Sequence, residues 1–179
     1  MLFSCNNKQE SRVIGAGEIF CDAETLAKQE FKFISFGKEF GGGNGRTSEE
    51  AFEGEYSCKV NKEHQYAFTY TFKDLKPGEV FNISVYRKSP NRSGVVVVQS
   101  LNGGAFYSSE NTSYNKKDEN GWDVLALKVQ LPEDVDSLLG LKIYVYNSGE
   151  EEQNVYFDNF KVHRYVREAG ETMVNKNAL

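Results

Sequence analysis

The sequence predicts an all-β domain, and three observations carry that prediction. Among its 179 residues the chain has 13 Phe and 10 Tyr but a single Trp, and aromatic residues are enriched in strands. It has 16 Gly against 3 Pro, which favours strands joined by turns. Short stretches also alternate apolar and polar residues with a period of two, the pattern of a half-buried strand. A chain of this length most simply forms one domain with a sizeable core.

Composition and charge exclude several classes of protein. Hydrophobic residues make up 39% and charged residues 26% of the chain, so a disordered protein is not expected. The formal net charge is −5, and Lys and Arg form no basic stripe, so nucleic acid is not an expected partner. A membrane-spanning helix needs about 18 consecutive apolar residues. The sequence contains no such stretch.

The first residues resemble a bacterial lipobox. Leu2, Phe3 and Ser4 place apolar and small residues directly before Cys5, as in lipoproteins whose cysteine is acylated. Only four residues precede Cys5, so either the numbering starts inside a precursor or the resemblance is accidental and the start is that of a cytosolic protein. We expect residues 1–14 to be a lipid-anchored tether, with the protein in the bacterial cell envelope as an outer-membrane or surface lipoprotein.

Two cysteines remain if Cys5 carries lipid. An even number of cysteines in an exported protein suggests a disulfide, here between Cys21 and Cys58. The alternative is that both are buried free thiols, and the residues alone leave both possibilities open.

The first strands are predicted between residues 15 and 60. Residues 15–24 fit a strand that ends in acids, and residues 25–40 alternate imperfectly, as in one irregular strand. Residues 41–45, GGGNG, form a loop, because only glycine tolerates such a run of unusual backbone angles cheaply. A phosphate-binding loop would need Lys-Ser/Thr and a helix directly after it, and neither follows. Residues 56–60 form the next short strand.

Two strands with clear alternation follow. In the first, Tyr66, Phe68, Tyr70 and Phe72 are expected on one face. Residues 75–79, LKPGE, place Pro and Gly where a turn needs them. The second strand is expected to bury Phe81, Ile83 and Val85 and to leave Asn82, Ser84 and Tyr86 outside.

Four further strands complete the predicted domain. Residues 95–100, VVVVQS, follow a turn, and a long polar loop at 108–120 leads into a strand at 122–131. The strand after it has Leu141, Ile143 and Val145 facing inward and Lys142, Tyr144 and Tyr146 facing outward. We expect the β-sandwich domain to cover residues 15–165 and residues 166–179 to form a C-terminal tail.

The closing strand, residues 154–162, contains one acid in an otherwise apolar run. Asp158 lies among Tyr156, Phe157, Phe160 and Val162. A carboxylate in such a setting is costly unless a cation or several hydrogen-bond donors satisfy it. Asp158 is therefore expected to have a partner elsewhere in the chain.

The order of the strand motifs carries a family resemblance. Short strands at regular spacing indicate a sandwich or barrel. The chain resembles the galactose-binding-like jelly rolls, especially carbohydrate-binding modules that recognise xylans and β-glucans, over about residues 15–164. The motifs, in chain order, are EIFCDAE, EGEYSCKV, LKPGEVFNISVYRK, NGWDVLALKVQLP, LKIYVYN and VYFDNFKV. Asn159 stands where a second Asp is common in those families. The resemblance implies a jelly-roll β-sandwich of two antiparallel sheets.

The same resemblance implies a structural calcium ion. In those families the first and last strands share a calcium, and the matching acids here are Asp22, Glu24 and Asp158. Calcium takes about six to eight oxygen ligands, so backbone carbonyls and water would complete the shell. The alternative is that Asp158 accepts hydrogen bonds from turn amides while Asp22 and Glu24 are solvated.

The resemblance also implies a polysaccharide or oligosaccharide ligand. Such modules stack sugar rings on exposed aromatic residues and surround them with hydrogen-bonding side chains. The alternative for each aromatic residue is an ordinary place on a strand face or, for Trp122, a lid on the core. Candidate ligand-binding residues are Tyr86, Arg87, Tyr107, Trp122, Tyr144 and Tyr146.

Catalysis has little support in the sequence. His64 and His163 are the only histidines, and neither accompanies a nucleophile motif such as Gly-x-Ser-x-Gly. We therefore expect a non-catalytic carbohydrate-binding module. The alternatives are a structural or protein-interaction module of a cell-surface assembly and a small glycan-active enzyme.

Overall fold

The strands form two antiparallel sheets that enclose one hydrophobic core. The computed structural model describes residues 17–27, 31–115, 117–148 and 153–166. Its strands are β1 (Glu18–Cys21), β2 (Phe33–Ser35), β3 (Lys38–Phe40), β4 (Arg46–Thr47), β5 (Ser57–Val60), β6 (Tyr66–Phe72), β7 (Glu79–Lys88), β8 (Val95–Ser100), β9 (Tyr107–Glu110), β10 (Trp122–Gln130), β11 (Leu141–Tyr146) and β12 (Val155–Val166).

Sheet topology is that of the predicted all-β jelly-roll sandwich. The six-stranded sheet has the order β10-β7-β12-β5-β4, and β1 pairs with another part of β12. The four-stranded sheet has the order β6-β11-β8-β9. Strands β2 and β3 form a separate hairpin. Within the described residues no helix is long and apolar enough to cross a membrane.

Aromatic residues from both sheets fill the core. Phe160 of the six-stranded sheet stacks on Phe68 of the four-stranded sheet, with ring centroids 5.6 Å apart. Phe72 of the four-stranded sheet meets Phe81 of the six-stranded sheet edge to face, with ring centroids 5.1 Å apart. Burying one such ring stabilises the fold by about 1.5–3 kcal/mol. These pairs therefore hold the two sheets together.

Strand β12 bends where its acid lies. Its pairing with β7 shifts register between Asp158 and Lys161, and Asn159 has a positive φ of 50°. The shift lets Phe157 and Phe160 both point into the core. Asp158, which pairs with the outward-facing Tyr86, lies on the opposite surface of the sheet.

Two expectations about strands were wrong. Residues 25–40 do not form one irregular strand, because the chain reverses at Phe36 and Gly37, both with positive φ, to make the β2–β3 hairpin. In β6, Phe68 has a positive φ of 51°, and the pairing with β11 shifts register there. This β-bulge breaks the period of two, so that Phe68 is buried while Tyr66 is half exposed.

Candidate functional site

The outer surface of the four-stranded sheet carries a group of tyrosines. In β11, Tyr144 and Tyr146 alternate with core residues and so face outward, as the sequence predicted. The strand register places Tyr66 of β6 opposite Tyr146 and places Tyr107 of β9 opposite Gln99 of β8. Gln99 is also opposite Lys142 of β11. We call this surface the tyrosine face, and its members are Tyr66, Gln99, Tyr107, Lys142, Tyr144 and Tyr146.

Contacts between the rings fix the geometry of the tyrosine face. The ring of Tyr66 lies 5.0 Å from that of Tyr146 and 5.6 Å from that of Tyr144, both tilted. The Tyr144 hydroxyl donates a hydrogen bond to Gln99 Oε1 at 3.1 Å. Burial and the neighbouring phenols of Tyr107, Tyr66 and Tyr146 raise the pKa of Tyr144, so its hydroxyl remains a donor.

Chemically, the tyrosine face combines ring surfaces with polar groups. Tyr66 is 50% exposed and Tyr107 61% exposed, so both rings are available to a ligand. The phenols, the Gln99 amide and the Lys142 ammonium can exchange hydrogen bonds with hydroxyl groups. A ligand whose ring has one apolar side and several hydroxyl groups would fit such a surface.

Two of the predicted ligand residues lie elsewhere, under the segment that precedes β5. The ring of Phe52 stacks on Tyr86 at 3.5 Å and meets Trp122 edge to face at 5.8 Å. Trp122 is only 3% exposed. The expectation that Trp122 is available to a ligand was therefore wrong, because Phe52 covers its ring on the outer surface of the six-stranded sheet.

Arg87 is also buried, contrary to its predicted role at the surface. Its Nε and Nη2 donate to Asp123 Oδ1 and Oδ2 at 3.0 and 2.8 Å, and neither side chain is exposed. The Nη1 atom donates to backbone carbonyls, among them those of Arg92, Gly94 and Asn111. Burial raises the pKa of Asp123, but the hydrogen bonds from Arg87 and Ser113 outweigh it and lower that pKa. Arg87 is thus a buried anchor for loops.

Backbone amides are the partners of Asp158. Its Oδ2 accepts hydrogen bonds from the amides of Phe52 and Glu53 at 2.9 and 3.2 Å, and its Oδ1 accepts one from Asn159 at 2.7 Å. The side chain is fully buried. Burial, together with the charge of Glu24, raises the pKa of Asp158 to about 7. The carboxyl group therefore ties the segment before β5 to the closing strand.

The other two predicted calcium ligands are satisfied in the same way. Glu24 Oε1 accepts the amides of Glu55 and Tyr56, both at 3.0 Å. Asp22 Oδ1 accepts the amide of Glu24 at 3.2 Å. The nearby carbonyls of Ala23 and Glu24 accept hydrogen bonds from the Arg46 guanidinium at 3.0 and 2.7 Å.

These residues do not fit a calcium ion. The acids face amide donors, and the two carbonyls near them already bind a cationic side chain. No group of three His, Cys, Asp or Glu side chains in the described ranges is placed to hold a metal. Calcium stays a prediction of the family resemblance, and this geometry offers a different partner for each acid.

Calcium should accordingly leave the stability unchanged. We expect the same melting temperature in 1–10 mM calcium and in excess chelator, because no stabilising site would be filled. Differential scanning fluorimetry measures this directly. A higher melting temperature in calcium would show that the acids do bind the ion.

The cysteines of the described region are not bonded to each other. Cys21 and Cys58 are both free and fully buried, so the alternative of two free thiols is the observed one. Burial raises the pKa of both thiols. Cys5, with the predicted lipidation, lies outside the described residues.

Comparison with known proteins identifies the fold. No protein-family model matches the chain, and neither does any curated protein. Among solved structures, the CBM22-1 xylan-binding domain of Paenibacillus barcinonensis Xyn10C matches with 17% identity and a TM-score of 0.53, over 83% of this chain and 94% of that one. A xylan-binding domain from CBM 22, formally the x6b domain, matches with 16% identity and a TM-score of 0.51, over 83% of this chain and 95% of that one. A cyclase from Fischerella sp. TAU matches with 14% identity and a TM-score of 0.48, over 90% of this chain and 94% of that one.

The class defined by this fold is the jelly-roll β-sandwich, and the predicted fold class is confirmed. More particularly, the fold is the one shared by the two CBM22 xylan-binding domains. The resemblance inferred from the order of the motifs was therefore correct. The cyclase match, with a TM-score below 0.5, carries no argument about function.

Proposed function

We propose that this protein is a non-catalytic carbohydrate-binding module whose tyrosine face binds a polysaccharide. The observation that carries the proposal is the group of Tyr66, Tyr107, Tyr144 and Tyr146 on one sheet surface. Pyranose rings have an apolar side that stacks on aromatic rings and hydroxyls that bond to polar side chains. The fold shared with two xylan-binding domains makes xylan the first ligand to test.

Weak stacking contacts and solvent-accessible hydrogen bonds suit reversible binding of an extended chain. The tyrosine face lies on strands rather than on loops, so its rings are held in fixed positions. Tyr66 and Tyr146 are directly opposite each other on neighbouring strands, and Lys142 and Gln99 form another such pair. A ligand crossing the strands would therefore meet rings and polar groups in turn.

A protein-interaction module is the second candidate, and one observation favours it. Phe31 and Phe36 are 68% and 51% exposed near the β2–β3 hairpin. Exposed large apolar side chains are common at protein interfaces. Export and lipid anchoring through Cys5 in a bacterial envelope remain a proposal from the sequence in either case.

Replacing Tyr146 by alanine should weaken binding to unsubstituted xylo-oligosaccharides by about tenfold, or about 1.4 kcal/mol. The reason is the loss of one ring from the tyrosine face, where Tyr146 contacts Tyr66. Isothermal titration calorimetry measures the affinity. Tyr114→Ala is the matched control, because Tyr114 is 73% exposed and lines a depression on the six-stranded sheet.

Equal loss in both variants would place the ligand elsewhere. If a glycan array and xylan both give no binding, and Phe36→Ala abolishes co-purification of a partner protein, the interaction module is the better account. Release of soluble sugars from a polysaccharide would instead indicate an enzyme.

A further inference from the structure

The outer surface of the six-stranded sheet carries an open depression of about 490 Å³. It lies on the opposite sheet from the tyrosine face. Cavities of about 300–1,000 Å³ are typical of small-ligand sites. We call it the basic depression, and the polar side chains that line it are Asn82, Ser84, Tyr114, Lys128, Lys161 and His163.

Side-chain size explains why the sheet is hollow there. Ser84 of β7 is flanked by Ala126 of β10 on one side and by Lys161 of β12 on the other. Two residues earlier in β7, Asn82 lies between Lys128 of β10 and His163 of β12. Small residues thus form the floor, and longer basic side chains flank it.

Tyr114 adds an aromatic ring to the depression. It belongs to the segment between β9 and β10, and its amide donates to the carbonyl of Val124 at 2.7 Å. This bond fixes the backbone of Tyr114 beside β10. Its side chain is 73% exposed, so one ring surface is open to a ligand.

Charge distinguishes the basic depression from the rest of the molecule. The chain as a whole has a net charge of −5, yet two lysines and a histidine meet here. Lys161 is paired with Glu18 at 2.8 Å. The side chain of Lys128 makes no ion pair or hydrogen bond with another residue that the structure describes, so its charge is available to a ligand.

We propose that the basic depression binds a carboxylate-bearing sugar, a uronic acid residue. The Lys128 ammonium and the His163 imidazole would bind the carboxylate, because charge-assisted hydrogen bonds are the strong ones. Asn82 and Ser84 supply donors and acceptors for ring hydroxyls. Tyr114 supplies a stacking surface for the ring. The inference goes beyond the tyrosine face and does not depend on it, since the two surfaces share no residue.

Glucuronic acid and glucose are the probes that test it. We expect glucuronic acid, and a xylo-oligosaccharide bearing one glucuronate, to shift the NMR signals of Asn82, Ser84 and His163. Glucose should not shift them, and added salt should weaken the effect, because the attraction is between charges near the surface. Signals of the tyrosine face should stay unchanged with free glucuronic acid.

A charge reversal provides the decisive variant. Lys128→Glu should lower the affinity for glucuronate-bearing oligosaccharide at least tenfold. Lys38→Glu is the matched control, because Lys38 lies exposed on β3, outside both surfaces, and it should leave the affinity and the glucuronate-induced shifts unchanged. Ser84→Trp, which fills the floor, should have the same effect as Lys128→Glu. Circular dichroism establishes that each variant is folded.

Two outcomes would overturn the inference. One is the absence of any shift with glucuronic acid, and the other is an equal loss in Lys128→Glu and Lys38→Glu. Neither outcome bears on binding of neutral xylo-oligosaccharide through Tyr146, so failure of this site and failure of the tyrosine face are distinguishable.

Discussion

Replacing Arg87 by alanine is expected to lower the free energy of unfolding by about 3–5 kcal/mol. The substitution leaves the carboxylate of Asp123 without its ionic partner in a place that solvent does not reach. It also removes the donor that joins the carbonyls of Arg92, Gly94 and Asn111. Both effects act in the same direction, because each leaves buried polar groups without partners.

Urea unfolding measures this loss, with Glu39→Ala as the control. Glu39 is paired with Lys32 at the surface, where an ion pair contributes about 0–1 kcal/mol. A small and equal effect of the two variants would contradict the buried ion pair. Replacing both partners, as in Arg87→Met with Asp123→Leu, should cost less than Arg87→Ala alone, because no unpaired charge remains.

The second large effect concerns pH and Asp158. The folded protein holds the pKa of Asp158 at about 7, raised from 3.8 by burial first and then by the charge of Glu24. A raised folded-state pKa means that the folded protein binds this proton more tightly than the unfolded chain does. Its contribution to stability is therefore complete below about pH 4 and is lost as pH rises through about 7, with a slope of up to about 1.4 kcal/mol per pH unit.

Comparing wild type with Asp158→Asn isolates the contribution of Asp158 to the pH dependence of stability. We expect the free energy of unfolding of wild type to fall more steeply between pH 5 and pH 8 than that of Asp158→Asn. The asparagine does not titrate, so the difference between the two slopes belongs to Asp158. Parallel slopes would show that its pKa is not raised, as would be the case if a bound cation stabilised the carboxylate.

Strand alternation was the part of the site that the sequence could predict. In β11 the inward residues are all aliphatic, so the outward places of Tyr144 and Tyr146 follow from the period of two. Tyr107 was correctly placed outside as well. Tyr66 was missed, because the bulge at Phe68 shifts the phase and the local sequence carries no clear signal for it.

The burial of Arg87 also follows from strand alternation. Arg87 continues the inward phase of Ile83 and Val85, and its partner Asp123 is in phase with the buried Leu125. An acid and an arginine in the inward phase of adjacent strands are the signature of a buried pair. Trp122 differs, because alternation places it on the outer side of the strand, and Phe52, from a loop far away in sequence, covers it.

The sequence predicted that Asp158 has a partner but not which residues supply it. The apolar run around Asp158 showed that its carboxyl group needed either a cation or several donors. Which of the two applies depends on the path of the segment before β5, whose amides of Phe52 and Glu53 point at the carboxyl group. Loop paths are not encoded in periodicity, and so the choice was left open.

The position of β12 also determines when the sandwich can assemble during synthesis. Strands β1, β5 and β7 all pair with β12, and Glu18 of β1 is opposite His163, almost the whole domain apart in sequence. The edges that await β12 are therefore unpaired until β12 has left the ribosome. Strands β6, β8, β9 and β11, all complete by Tyr146, can form their sheet earlier. The sheet bearing the tyrosines is thus the first that the growing chain can complete.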